Sequence, residues 1–324
     1  MKEVLFFNEV MSLLLTETLL YTLMLIAFFI SLKILVRWDF ERFTQEQYDM
    51  ESKSYLLSTL ISFVIVIKIL LLPFFVYGLD ALASIVHGAM CVAGVIEANE
   101  YGYPLLAQKI AVLLVGGLWL IIHKMDIKAK TYPYMKIKLW LFIALFALMS
   151  VEYLLLIFYY ISIDVTKSVS CCSVIYNSYG TNDTNLPFGL EIKSLLMLFY
   201  LLYFFIILSI KSSPKIVKLL AYIVFALVSY YAVVYFFGTY IYAQPHHHCP
   251  FCMLQRAYYY IGYLIWLALM IGVFFGISGV VLESFFKVDA RKYYTTSIYW
   301  LTFFIVICSS LPLIYFTKSG VWLL

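Results

Sequence analysis

Apolar residues run in long stretches along this chain, and polar residues collect in the short gaps between them. A membrane-spanning helix needs roughly 20 mostly apolar residues. Eight stretches qualify, near 11–36, 55–77, 107–123, 139–163, 191–210, 217–243, 253–276 and 296–316. The least marked gap is "IKSSPK" at 210–215, where Ser-Ser-Pro is a helix stop. The pattern predicts an all-α, polytopic integral membrane protein with eight transmembrane helices. The first stretch is too long for a signal-peptide core and lacks a small-residue cleavage site. It is therefore expected to be retained as the first membrane helix.

Composition strengthens that expectation. The chain has 324 residues, of which 65% are hydrophobic and 12% charged, and its mean hydropathy is +0.96. A soluble domain is about half apolar and about a quarter charged. The lipid bilayer is the expected surroundings. A net charge of +4 says little by itself, and nothing reads as a nucleic-acid surface.

The placement of the cations gives an orientation. Arg37, Arg42 and Lys53 fall in the first connection, and Lys124, Lys128, Lys130, Lys136 and Lys138 in the third. Lys211, Lys215 and Lys218 mark the fifth, and Lys287, Arg291 and Lys292 the seventh. The alternate connections hold only Lys109, Lys167, Lys193 and Arg256, mostly at helix edges. Odd connections are expected to be cytoplasmic and both termini outside. Cys91, the Cys171–Cys172 pair and the Cys249–Cys252 pair then all lie in outer loops, as suits thiols of an oxidising compartment. Cys308 falls in the outer part of the last helix.

The richest stretch is "HHHCPFCMLQRAYYYIG", His246 to Gly262. Pro250 suits the first position of a helix, which would put Cys249 at the cap and Cys252 in the first turn. Unpaired N–H groups there favour a thiolate. Arg256, four residues past Cys252, would share its face. A protonated His248 would add positive charge. This is the make-up of a reactive dithiol; inert thiols at a helix end are the plainer reading.

Cys171 and Cys172 are adjacent, so their Cα atoms are ~3.8 Å apart, too close for an ordinary disulfide spanning roughly 4.4–6.8 Å. Pairing of either with Cys249 or Cys252 is easier if the loops meet. Vicinal thiols also chelate soft metals. On ligand type, Cys171, Cys172, His246, His248, Cys249 and Cys252 are a candidate set for a copper-, mercury- or zinc-type ion. Three consecutive imidazoles cannot all face one ion, however. The plainer reading of His246, His247 and His248 is a polar loop tip that tunes Cys249. His87 and Cys91 have helical i, i+4 spacing, fitting a ligand pair or simply small polar residues at a helix end. His123 reads as an interfacial residue.

"CPFCMLQR" resembles the Cys-x-x-Cys segment of the disulfide bond protein B family, quinone-linked membrane enzymes that generate disulfides. "CCSVIYNSYG…LPFGLE" is similar to the outer cysteine loop of the vitamin K epoxide reductase family. The resemblance covers 139–276. It implies a four-helix bundle around a quinone, made of helices four to seven. By it, Cys249 and Cys252 are the quinone-facing pair, Arg256 contacts the quinone, and Cys172 with Ser173 matches the second loop cysteine. The family's separate first loop cysteine is missing, since Cys171 adjoins Cys172, and its Gly-x-Pro is reversed to Pro-Phe-Gly at 187–189.

Three segments follow: a three-helix region at 1–138 without an assigned role, the thiol-redox bundle at 139–276, and a last helix and tail at 277–324. A loose echo links 90–114 with 170–198, through duplication or chance likeness of two Gly/Asn-rich loops. Lys68 and Glu152 sit inside predicted helices at similar depth and are expected to pair; separate snorkelling or a proton path to quinone are the alternatives.

The expected function is a thiol–disulfide oxidoreductase in the bacterial plasma membrane. It would pass electrons from an external dithiol protein, such as one of thioredoxin fold, through Cys171/Cys172 and Cys249/Cys252 to quinone. The rivals are a transition-metal handling or transport protein and a non-enzymatic assembly subunit.

Overall fold

The computed structural model describes residues 2–37, 45–129, 132–169 and 191–323. Among these, every regular element is helical. Eight helices are long and apolar enough to cross a membrane, so the protein is an integral membrane protein. They are α1 (Asn8–Arg37), α2 (Gln45–Leu82), α3 (Gly102–Lys128), α4 (Met135–Ser162), α5 (Ile192–Ser212), α6 (Lys215–Tyr242), α7 (Ile261–Phe286) and α8 (Arg291–Ser319). Helices α6 and α7 each contain a π-turn, at Val233–Phe237 and Leu282–Phe286.

The chain forms two compact units, Met1–Val169 and Ser170–Leu324. This differs from a bundle of helices four to seven within 139–276. Helix α4 packs on α1 and α3, and so belongs with the first unit. Helix α8, expected to stand apart, packs on α7 in the second.

In the first unit, hydroxyl pairs join α1 to α4: Thr18 with Tyr153 at 3.0 Å, and Tyr21 donating to Ser150 at 3.2 Å. Lipid offers no hydrophobic drive between helices, so such polar contacts and close packing hold them. The α3–α4 turn is closed by Asp126, which accepts from Lys138 Nζ and from the Tyr134 backbone N–H, both at 2.9 Å.

The second unit also joins its first and last helices by hydroxyls, Tyr200 with Ser309 at 2.9 Å and Tyr203 with Thr302 at 2.7 Å. Its centre is α7. Gly272, Gly276 and Gly279 lie under Leu301, Tyr222 and Tyr294 of the neighbouring helices. A Cβ at Gly276 would collide with the Tyr222 ring, so the small residues are what permit this approach.

Each unit carries a cysteine-bearing segment between its second and third long helices. In the first it is Cys91, at the cap of a short helix Val92–Ile96. In the second it is Cys249–Cys252, ahead of two single 3-10 turns. The echo between 90–114 and 170–198 does not match these positions, and 170–190 lies outside the described residues.

Candidate functional site

Helix α6 ends at Tyr242, and Ala243 follows with a left-handed φ of 53°. The Gln244 N–H closes that end on the Thr239 carbonyl at 3.1 Å. The chain then runs through the histidines into Cys249-Pro250-Phe251-Cys252. The expected long helix does not start here. Cys252–Leu254 is one 3-10 turn, and Gln255 is extended, at φ −81° and ψ 157°. Tyr259 and Tyr260 both have positive φ, 54° and 57°, before α7 begins at Ile261. Non-glycine residues in this region are costly and persist only where the surroundings hold them.

The interruption changes the chemistry expected from sequence. Arg256 does not share a helical face with Cys252, because the extended Gln255 intervenes; its side chain is exposed. No long helix begins at Cys249, so thiolate stabilisation by a helix terminus is not available.

Tyr242 holds the cysteine turn. Its hydroxyl donates to the Cys249 carbonyl and accepts from the Met253 N–H at 3.0 Å. Trp266 Nε1 of α7 donates to the Pro250 carbonyl at 3.3 Å. Met253 is fully buried and lies against both Gly238 of α6 and Gly262 of α7. Thus the turn is wedged between two helices, with the backbone at both of its ends tied to one phenol.

Both thiols are buried, Cys249 at 1% and Cys252 at 5% exposure, so Cys249 is not the more accessible one. Their sulfurs lie within 4.8 Å of each other. His246 is exposed, while His247 lies edge-on to Tyr242 at 4.3 Å and His248 stacks on Tyr235 at 4.8 Å. Three neighbouring imidazoles therefore take three different environments. Neither His246 nor His248 brings a ring nitrogen to the two sulfurs as a metal set among the described residues.

Burial lowers the pKa of His247, helped by the neighbouring His248. Burial also lowers that of His248, against the hydrogen bond it makes to the Val234 backbone. Val234 lies in the π-turn of α6. Both imidazoles are neutral at neutral pH, so His248 does not add the positive charge expected beside Cys249. His247 Nε2 and His248 Nδ1 are buried without hydrogen-bond partners among the described residues.

Cys171, Cys172 and Ser173 lie outside the described residues, as does Pro-Phe-Gly 187–189. His87 and Cys91 do not share a helix. His87 is exposed in a turn where its N–H meets the Val165 carbonyl, and Gly88 follows at φ 85°. Cys91 is fully buried, and so is Cys308 within α8. His123 stacks on Trp119 at 5.0 Å on α3.

A second cluster lies inside the first unit. Lys68 donates to Glu17 Oε2 at 2.6 Å and to Glu152 Oε2 at 2.7 Å. Lys109 donates to Glu17 Oε1 at 2.8 Å and to Glu152 Oε1 at 2.7 Å. The four side chains form a closed ring with alternating charge, one from each of α1 to α4. All are buried. Lys109 also lies over the Phe75 ring at 5.0 Å. The expected Lys68–Glu152 contact is present, but as one edge of this ring. A lone charge at the bilayer centre costs ~2.5–3.5 kcal/mol on insertion scales, so four scattered charges would be prohibitive. The space beside the ring is about 10 Å³, bounded by Leu72, Val112 and Leu113. That is room for one water at most, which excludes a substrate pocket there.

Sequence reading missed Glu17, Lys109 and Tyr242. Glu17 is an isolated acid in an apolar stretch, the same signal that marked Lys68. Lys109 was counted with a connection because it stands at the very edge of the third apolar stretch, 107–123, whereas the helix starts at Gly102 and places it inside. Tyr242 carries no sequence signal, since its role comes from meeting a turn that the chain forms later. Comparison with known proteins gives no match to a family model, to a curated protein or to a solved structure.

Proposed function

We propose that this protein is a membrane thiol–disulfide oxidoreductase whose working dithiol is Cys249–Cys252. The observation that carries the reading is a Cys-x-x-Cys turn with its sulfurs within 4.8 Å, fixed at both ends by Tyr242. The Cys249–Cys252 disulfide would take two electrons and two protons from an external dithiol, which becomes a disulfide. The two thiols would then give two electrons and two protons to a quinone, forming quinol and restoring the disulfide. Quinone as acceptor, with Arg256 as its contact, rests on the resemblance described above.

Burial of both thiols argues for a relay, since an external dithiol protein cannot attack a sulfur that it cannot touch. Cys171 and Cys172, with Ser173 beside them, are the relay thiols in this proposal. Exchange runs by thiolate attack through a mixed disulfide. The cation distribution supports cysteine loops on the outer face; a bacterial plasma membrane rests on the resemblance. A thioredoxin-fold protein is the partner class that fits.

Anaerobic purification tests the proposal, with quinone, metal and thiols counted on one sample. Bound quinone and a reducible disulfide are expected. A stoichiometric copper or zinc ion without quinone would favour metal handling instead. In Cys252→Ser protein, peptide mapping without reductant should find Cys249 joined to Cys171 or Cys172. Only free thiols under oxidising conditions would refute the relay.

A further inference from the structure

The ring in the first unit has an arrangement that simple charge burial does not require. Glu17 and Lys68 come from the consecutive helices α1 and α2, which pack together. Lys109 and Glu152 come from the consecutive helices α3 and α4, which also pack together. Each helix pair therefore gives the ring one acid and one base, so its share of the ring is neutral by itself. Each has its own internal ion pair, at 2.6 Å in the first and 2.7 Å in the second. The remaining two edges, Lys68–Glu152 at 2.7 Å and Lys109–Glu17 at 2.8 Å, run between the pairs.

We infer that the ring is a docking code by which the helix pairs α1–α2 and α3–α4, each contributing an internally neutral ion pair, select each other inside the bilayer. A neutral, internally paired unit can enter lipid where a singly charged helix is penalised. Once both are inserted, each presents a short dipole. Glu17 of one faces Lys109 of the other, and Lys68 faces Glu152, so the dipoles dock in opposed directions. All four carboxylate oxygens then accept a lysine N–H. Reversing one dipole would join like charges on both edges between the pairs while leaving each pair neutral. The alternation, rather than the presence of charge, is what specifies the partner. A buried ionic group that fixes register and partner is the best-supported use of such groups.

The test uses the full chain. Glu17→Lys with Lys68→Glu reverses the first dipole, and Lys109→Glu with Glu152→Lys reverses the second. Combining all four restores alternation. The yield of monodisperse protein in mild detergent, and its half-life on warming, are read for each. Either double variant should lose at least about tenfold in folded yield, because a buried charge set against its like is strongly destabilising. The fourfold variant should recover most of that loss. A further variant, Glu17→Leu, Lys68→Met, Lys109→Met and Glu152→Leu, removes the charge conflict and should fold better than either double variant. The code is refuted if a double variant folds as well as the wild type. It is refuted equally if the fourfold reversal does no better than the doubles while the apolar variant folds.

Discussion

Lys68 and Glu152 meet at 2.7 Å in the membrane interior, although they stand 84 positions apart along the chain. Each also holds a second partner, so the loss of either strands two groups. Lys68→Met should leave one oxygen of Glu17 and one of Glu152 without an ammonium. The expected loss of stability is about 3–5 kcal/mol, the range for breaking a buried ion pair. Reversible unfolding in mixed detergent can measure it. Adding Glu152→Gln should recover part of the loss, since the ring is then neutral again. A Lys68→Met protein as stable as the wild type would show that the ring contributes no net stability.

Tyr242→Phe keeps the ring that packs on His247 but removes both hydrogen bonds to the cysteine turn. The Met253 N–H and the Cys249 carbonyl would then be left unsatisfied, costing about 1–3 kcal/mol in local stability. After reduction, alkylation of Cys249 and Cys252 should become faster. Unchanged alkylation would mean that Tyr242 does not hold the turn closed.

His247 and His248 predict a pH dependence. Burial lowers the pKa of both in the folded chain. The unfolded chain therefore binds more protons as pH falls below about 6.5, the ordinary histidine value. Local stability is complete above that pH and is lost on acidification towards the folded values. Hydrogen-exchange protection in the segment 244–254, relative to the intrinsic rate at each pH, should fall between neutral pH and about pH 5. His247→Phe with His248→Phe should flatten that response. A wild-type segment equally protected across this range would contradict the assignment.

Gly262→Ala should push the cysteine turn off α7. The added Cβ would lie 2.9 Å from the Met253 carbonyl carbon, a backbone atom that cannot rotate away. Overpacking of this kind costs about 1–3 kcal/mol. The thiol pair should react faster with alkylating agents while the long helices stay intact by circular dichroism. Loss of helicity would indicate wider damage, and no change in thiol reactivity would show that Met253 does not anchor the turn.

The sequence by itself determined the membrane class, the eight helices and the position of the dithiol. Length and apolarity suffice for the helices, because lipid forces each span to satisfy its own backbone hydrogen bonds. Lys68 was legible because a charge inside a 38-residue helix needs a partner. Glu152 was legible as one partner, but its second partner, Glu17, and the Lys109 that completes the ring come together only when four helices pack. The start of α7 was misplaced by eight residues, from 253 to Ile261, because hydropathy cannot register the extended Gln255 or the left-handed Tyr259 and Tyr260. Those conformations go together with the seating of Met253 between α6 and α7. The grouping of α4 with the first unit and α8 with the second also depended on packing, which no motif encodes. Sequence named the cysteines, while only the tertiary structure decided that both thiols are buried, that Arg256 turns outward and that His247 and His248 are neutral. Each of these depends on how the segment folds back onto α6 and breaks ahead of α7, which a linear reading does not show.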